Sequence, residues 1–199
     1  MLEGFTDKVK GYIVKPAGTF RTAKPEPLAP AFVYYLVLLV INAVLSGIVV
    51  FAGLRTLTPL QQVPGIGLMA APVVSIAIIV LGILGVFIGG AWVHLWVWLL
   101  GGRKGYEQTV KAIMYGNTPY LLLGWIPLVG IIFGIWSLVL EILGIRELQE
   151  ISTGRAVAAV LLAIIVLAAV IGAIVVSYLY IPASGVHFTS PPDMPPVPT

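Results

Sequence analysis

The chain has 199 residues, 59% of them hydrophobic and only 10% charged, with a formal net charge of +3. Soluble globular domains carry about 25% charged residues, so this composition excludes a domain that covers its whole surface with water-facing groups. Cysteine is absent, which excludes disulfides, thiolate catalysis, iron–sulfur clusters and cysteine-ligated zinc, and the small net charge gives no reason to expect a nucleic acid partner.

Residues 1–29 read as a cytoplasmic segment. Phe5, Val9, Tyr12 and Ile13 recur at helical spacing, with Lys8 and Lys15 off that face. The pattern predicts a short amphipathic helix lying on the membrane surface, drawn to anionic headgroups. The segment holds no apolar core of signal-peptide length, so a cleaved leader is not expected. Pro25, Pro27 and Pro30 then stiffen the approach to the first long helix, since proline fixes φ and suits a helix start.

A helix needs about 20 apolar residues to cross a hydrocarbon core roughly 30 Å thick. The predicted spans lie at about 31–54, 70–100, 106–122, 123–145 and 156–181, forming a transmembrane domain over 30–181. The first carries Asn42 in mid-span, with Ser46 four residues on, placed to hydrogen-bond between helices. The second outruns the bilayer and must tilt or protrude. It contains Gly85 and Gly89 as a close-packing pair, and His94. Trp92, Trp96 and Trp98 near its end, like Trp125 later, suit interfacial anchoring. Gly101-Gly102-Arg103-Lys104-Gly105 reads as a tight basic turn.

The third segment, Tyr106–Leu122, is the ambiguous one. Glu107, Gln108, Lys111, Tyr115 and Thr118 share one polar stripe, so it fits either an interfacial helix or a span facing the bundle. Charge distribution decides. With five spans and a cytoplasmic N-terminus, Lys8, Lys10, Lys15, Arg21, Lys24, Arg103, Lys104, Lys111, Arg146 and Arg155 all fall on the cytoplasmic side, and only Arg55 lies outside. Four spans move Arg146 and Arg155 outside. The positive-inside rule favours five. The expected fold is therefore all-α, a polytopic five-helix bundle with an external C-terminus. Pro119 should kink the third span by removing a hydrogen bond to the carbonyl of Tyr115, which Thr118 or a neighbouring helix would satisfy.

In the fourth span Gly130, Gly134, Ser137, Glu141 and Gly144 fall along one line, a groove of small residues with a carboxylate towards its cytoplasmic end. The last span repeats small residues at Ala159/Ala163 and Ala168/Gly172. Residues 182–199, rich in proline, are expected to be an extended, disordered external tail.

Ionisable groups inside a bilayer are functional candidates by default. His94, Lys111 and Glu141 each lie about 7–10 Å inside the cytoplasmic boundary by helix rise. The expected arrangement is one cluster, with Lys111 paired to Glu141 and His94 and Tyr115 nearby. Mutual neutralisation that fixes helix register is one role for it; a site for a headgroup, proton or ion is the other. No Gly-x-Ser-x-Gly or His-Glu-x-x-His pattern occurs. No cofactor, metal site or enzymatic activity is expected.

Several short motifs in order resemble those of the Yip-domain family of membrane proteins, named for members that interact with Ypt/Rab GTPases. They are Lys15-Pro16 with Thr19-Phe20, the basic Gly-Gly turn, Tyr115 with Pro119, and Gly144, Glu147, Ser152 and Arg155-Ala156. The resemblance covers about Val14 to Tyr178 and implies five transmembrane helices with a cytoplasmic N-terminus. Eukaryotic relatives act in vesicle trafficking through a longer N-terminal region with an Asp-Leu-Tyr-Gly-Pro-like segment. That segment is not found here, so a Rab GTPase is not the expected partner. The chain is more similar to prokaryotic members, which implies the cell membrane of a prokaryote. The first functional expectation is an interaction or organising protein that engages lipid, an unidentified protein or a second copy of itself. The alternative is a small transporter or channel using His94, Lys111, Tyr115 and Glu141. No internal repeat of the kind transporters use is visible.

Overall fold

The computed structural model describes residues 4–52 and 67–180. The described chain is built of helices: α1 (Phe5–Val14), α2 (Pro16–Ala23), α3 (Leu28–Phe51), α4 (Gly67–Leu99), α5 (Tyr106–Gly116), α6 (Thr118–Leu123), α7 (Val129–Gln149) and α8 (Thr153–Tyr180). Four of them, α3, α4, α7 and α8, are long and apolar enough to cross a membrane. The tail expected over 182–199, and Arg55, lie outside the described residues.

Local chemistry sets the helix ends. Lys15 precedes proline, which disfavours the α conformation; it sits at φ −135°, ψ 58° and separates α1 from α2. Pro27 precedes α3 in an extended conformation. The turn between α4 and α5 depends on Gly101 and Gly105 at φ 101° and 93°, a region costly for a side chain bearing Cβ. Helix α4, with 33 residues, is about 50 Å long, well beyond the bilayer core. The fourth predicted span begins later than expected, at Val129 rather than Leu123, because Gly124–Leu128, with Pro127 inside it, forms the turn between α6 and α7.

Compactness divides the chain into two units, one ending at Ala163 and one starting at Ile164. In the first, register can be read from individual contacts. Helices α3 and α4 run antiparallel. Tyr35 donates its hydroxyl to the carbonyl of Gly82 at 3.0 Å, and Ser75 donates to Ala43 O at 2.9 Å. Helices α5 and α6 ascend beside α3: Tyr115 meets Glu26, Thr118 meets Tyr34, and Asn42 donates to the carbonyls of Tyr120 and Leu121. Helix α7 descends antiparallel to them. Trp92 donates to Ala163 O at 2.9 Å, tying α4 to α8, whose Ala156, Ala159, Val160 and Ala163 are buried. In the second unit α8 continues to Tyr180, with its side chains exposed from Leu167 through Tyr178.

The small residues of α7 seat α5 and α6. Gly144 faces Phe20 and Ala112, and Gly116 of α5 lies against the backbone of Glu141, where an added Cβ would approach Glu141 N to 2.8 Å. Ser137 Oγ accepts the amide of Tyr120 at 3.0 Å. Gly130 backs onto Gly124 in the turn, and Gly134 touches the Tyr120 ring. Gly85 and Gly89 behave differently from expectation: no atom lies within 4 Å of a Cβ at either, so they mediate no close helix contact among the described residues. A Gly-x-x-x-Gly spacing arises readily in glycine-rich spans, and the close approaches on α4 occur instead at Gly82 and Gly90. Gly116→Val should therefore lower stability by about 1–3 kcal/mol through overpacking, while Gly85→Ala should cost nothing. Thermal unfolding of both variants in one detergent checks the contrast.

Candidate functional site

The N-terminal segment is part of the bundle. Tyr12 and Phe20 are 0% exposed. Tyr12 stacks on Tyr115 with ring centroids 4.5 Å apart and planes 18° from parallel. It also meets Phe20 edge-on at 4.9 Å. Phe5 and Val9 pack on the same core. The helix read from the spacing is present, but its apolar face meets α3 and α5 rather than lipid. An apolar stripe gains the same hydrophobic burial against a protein face, and here the Tyr12–Tyr115 stack specifies that face. Of the expected stripe only Ile13, 40% exposed, is left outside with its neighbour Val14.

Lys111 is 0% exposed. Its ammonium donates to the carbonyls of Ala23 at 3.4 Å, Lys24 at 3.2 Å and Glu26 at 2.5 Å. These carbonyls close α2 and lead into α3, so the lysine satisfies a helix C-terminus, where a cation is favoured. The carboxylate of Glu26 accepts from Lys8 at 2.8 Å and from the hydroxyl of Tyr115 at 2.7 Å. Burial works against the charge of Glu26, but the hydrogen bonds from Lys8 and Tyr115 and the nearby Lys111 outweigh it and hold the carboxyl below its ordinary range. Burial, with Tyr115 and Glu26 adjacent, holds the Tyr12 hydroxyl firmly protonated.

The expected Lys111–Glu141 pair is not what forms. Glu141 instead accepts from Asn117 Nδ2 at 2.9 Å. Gly116 sits directly against Glu141, which brings the carboxylate level with Asn117, whereas Lys111 reaches back towards the carbonyls after α2. Equal depth in two helices does not make two side chains point at each other. His94 belongs to a third network. Its Nδ1 lies 2.8 Å from Thr109 Oγ1, and Thr109 accepts from Gln149 Nε2 at 2.9 Å. Gln149, 2% exposed, also donates to Gly105 O and accepts from Lys104 N. Thus Lys111 and Tyr115 share a network around Glu26, while His94 and Glu141 each stand apart from it.

Helix α5 ends at Gly116 and α6 begins at Thr118, with Pro119 in its first turn. Thr118 Oγ1 takes the carbonyl of Tyr115 at 2.6 Å. Glu26, Tyr12, Asn117, Thr109 and Gln149 escape a reading by depth in the membrane. Glu26 between two prolines was the available signal, as the one acid between Lys8 and Pro30.

Three segments distant in sequence meet at one end of the first unit. Glu150, at φ 55°, forms ion pairs with both Lys24 and Lys104, and Arg21 pairs with Glu147 at 2.7 Å. Hydrogen bonds from Lys104 and Lys24 pull the Glu150 carboxyl down to about 2. No group of three or more His, Asp or Glu residues able to hold a metal occurs among the described residues.

A model of the Yip1 domain matches residues 10–176, from α1 into α8. The chain belongs to the Yip1 domain family. No curated protein matches it, and no solved structure does. The match, with four helices of spanning length and apolarity, makes this Yip1 domain a multi-pass integral membrane protein. Its matched region includes the second half of α1 and all of α2, in keeping with their place in the core.

Two outcomes follow for the Yip1 domain. Exchanging Lys111 and Glu141 should not rescue the single charge reversals, whose costs should add to within about 0.5 kcal/mol; a double-mutant cycle on unfolding in detergent measures this. Because the Glu26 and Glu150 carboxyls lie below their unfolded values in the folded state, their contribution is present above about pH 4.3 and is lost as pH falls through the folded values. Acidification from about pH 5 to pH 2 should release α1 and α2 first, read as faster amide exchange in Phe5–Ala23 than in α3 or α7.

Proposed function

We propose that the chain is a five-span membrane protein with a cytoplasmic N-terminus and an external C-terminus, in which α5 and α6 together form the third span. The observation that carries this is the convergence on Glu150 of the N-terminal segment, the α4–α5 turn and the α7–α8 turn. It supports placing Lys8, Lys10, Lys15, Arg21, Lys24, Arg103, Lys104, Arg146 and Arg155 together on the cytoplasmic side. Complete burial of Thr109–Gly116 argues against an interfacial helix, which would keep its polar face in water.

In this reading the protein recruits or organises partners rather than catalysing a reaction. The α1–α2 cap is fixed to the bundle, and it presents Lys10 and Lys15 beside the exposed Ile13 and Val14. Neither lysine forms an ion pair among the described residues, nor do Arg103 and Arg155. That surface suits anionic headgroups and a protein partner or second copy, in the cell membrane of a prokaryote. His94, Lys111, Tyr115 and Glu141 serve structure. Each already bonds to protein groups in one of three separate networks, which gives no support to a shared transport site.

Cysteines introduced at Arg103 and Gly154 should both be protected from an impermeant reagent applied outside, and one at Ser190 should react. Reaction at 154 with protection at 190 would instead place α5 and α6 on the membrane surface. For the activity, a photoreactive residue at Lys10 should crosslink to one stoichiometric protein or to anionic lipid in native membranes. Solute flux in proteoliposomes abolished by Glu141→Gln would overturn the organising role.

A further inference from the structure

A cavity of about 510 Å³ lies among α3, α4 and α6, inside the first unit. That is within the roughly 300–1,000 Å³ typical of small-molecule sites. Its lining includes Leu81 and Tyr120, which are exposed, so it opens sideways between α4 and α6. Asn42 lies about 21 Å along α3 from its start, which puts the cavity deep in the hydrocarbon layer.

The polar groups of this cavity have an unusual bias. Asn42 is 5% exposed and donates its amide nitrogen to the carbonyls of Tyr120 and Leu121. Asn117 donates its own to Ile113 O and Glu141. Tyr35 donates to Gly82 O. What is left over at both asparagines is the side-chain carbonyl oxygen, an acceptor. Ser46, 2% exposed and lining the same cavity, has no hydrogen-bond partner for its hydroxyl among the described residues. No charged residue among the described ones lines the cavity.

We propose that this cavity binds the hydroxyl end of an uncharged lipid, a glyceride or a long-chain alcohol, with its chain leaving between Leu81 and Tyr120. Two amide oxygens need a donor, and an O–H supplies one while Ser46 can serve as donor or acceptor in return. A phosphate or carboxylate head brings only negative charge and acceptors to a site without a cation. An amine arrives charged. Carrying either charge to this depth costs far more than carrying one hydroxyl, and the hydroxyl recovers its hydrogen bond on arrival. This inference does not rest on the topology or the organising role proposed above.

The full chain in phosphatidylcholine nanodiscs is irradiated with one of two mid-chain diazirine probes sharing a single chain: a primary alcohol and its methyl ether. Adducts are mapped by mass spectrometry. The alcohol should label Val74–Gly82 and Tyr120–Gly124 at least five-fold more than the ether. Ser46→Ala should reduce that labelling several-fold, and Ala77→Phe, which fills the cavity from a partly exposed position of α4, should abolish it. Competition by unlabelled diacylglycerol against unlabelled long-chain alcohol distinguishes the two sources. Equal labelling by alcohol and ether, or an adduct that survives Ala77→Phe, would overturn the proposal. If Ala77→Phe fails to fold, the alcohol-to-ether ratio on the unaltered chain decides alone.

Discussion

The structure turns on how one buried cation is accommodated. Lys111 is the one charged side chain among the described residues with no exposed surface. An ammonium in a low-dielectric interior is tolerable only if its protons find acceptors. Three carbonyls following α2 provide them, and no carboxylate touches it directly. Those carbonyls need donors for their own reasons, because a helix end leaves acceptors without intrahelical partners. The lysine and the helix end therefore resolve each other. The aromatic stack of Tyr12 on Tyr115 and the Glu26 bridge to Lys8 and Tyr115 surround the contact and exclude water from it.

The same logic distributes polarity through the rest of the first unit. Lipid offers no hydrogen bonds, so each polar side chain placed at depth has to meet protein. Asn42 takes two carbonyls close to the point where Pro119 breaks the ladder between α5 and α6, Thr118 takes the carbonyl left by the break, and Ser137 receives the amide of Tyr120. Together they let a short, bent pair of helices run where one continuous apolar helix would otherwise be needed. Glycine along α7 makes room for that pair, and Gly116 answers from the other side.

Much of this architecture is legible in the sequence. Apolar runs mark α3, α4, α7 and α8, because length and lack of charge are a direct measure of fitness for lipid. Their ends are less legible, since Leu123–Leu128 is apolar enough to pass for helix until Pro127 is weighed. The N-terminal helix is visible in its spacing, but an apolar face gives the same signal whether it lies on lipid or on protein. The partners of Lys111 and Glu141 are hidden for a related reason. Helix rise gives depth, while pairing depends on rotation about the helix axis and on segments outside the spans. Gly85 and Gly89 show the converse: spacing alone does not say whether another helix is there.

Helix α5 also constrains how the protein is made. It contains a lysine and a glutamate within eleven residues and gains little from lipid by itself. Its principal neighbour, α7, lies later in the chain and leaves the ribosome after it. During synthesis α5 thus has a period in which Lys111 can already reach the end of α2 while its other flank is still bare. A chain interrupted before Val129 would present that flank to whatever chaperone or quality-control protease stands at the insertion site, so truncations on the two sides of α7 should have very different lifetimes in the cell.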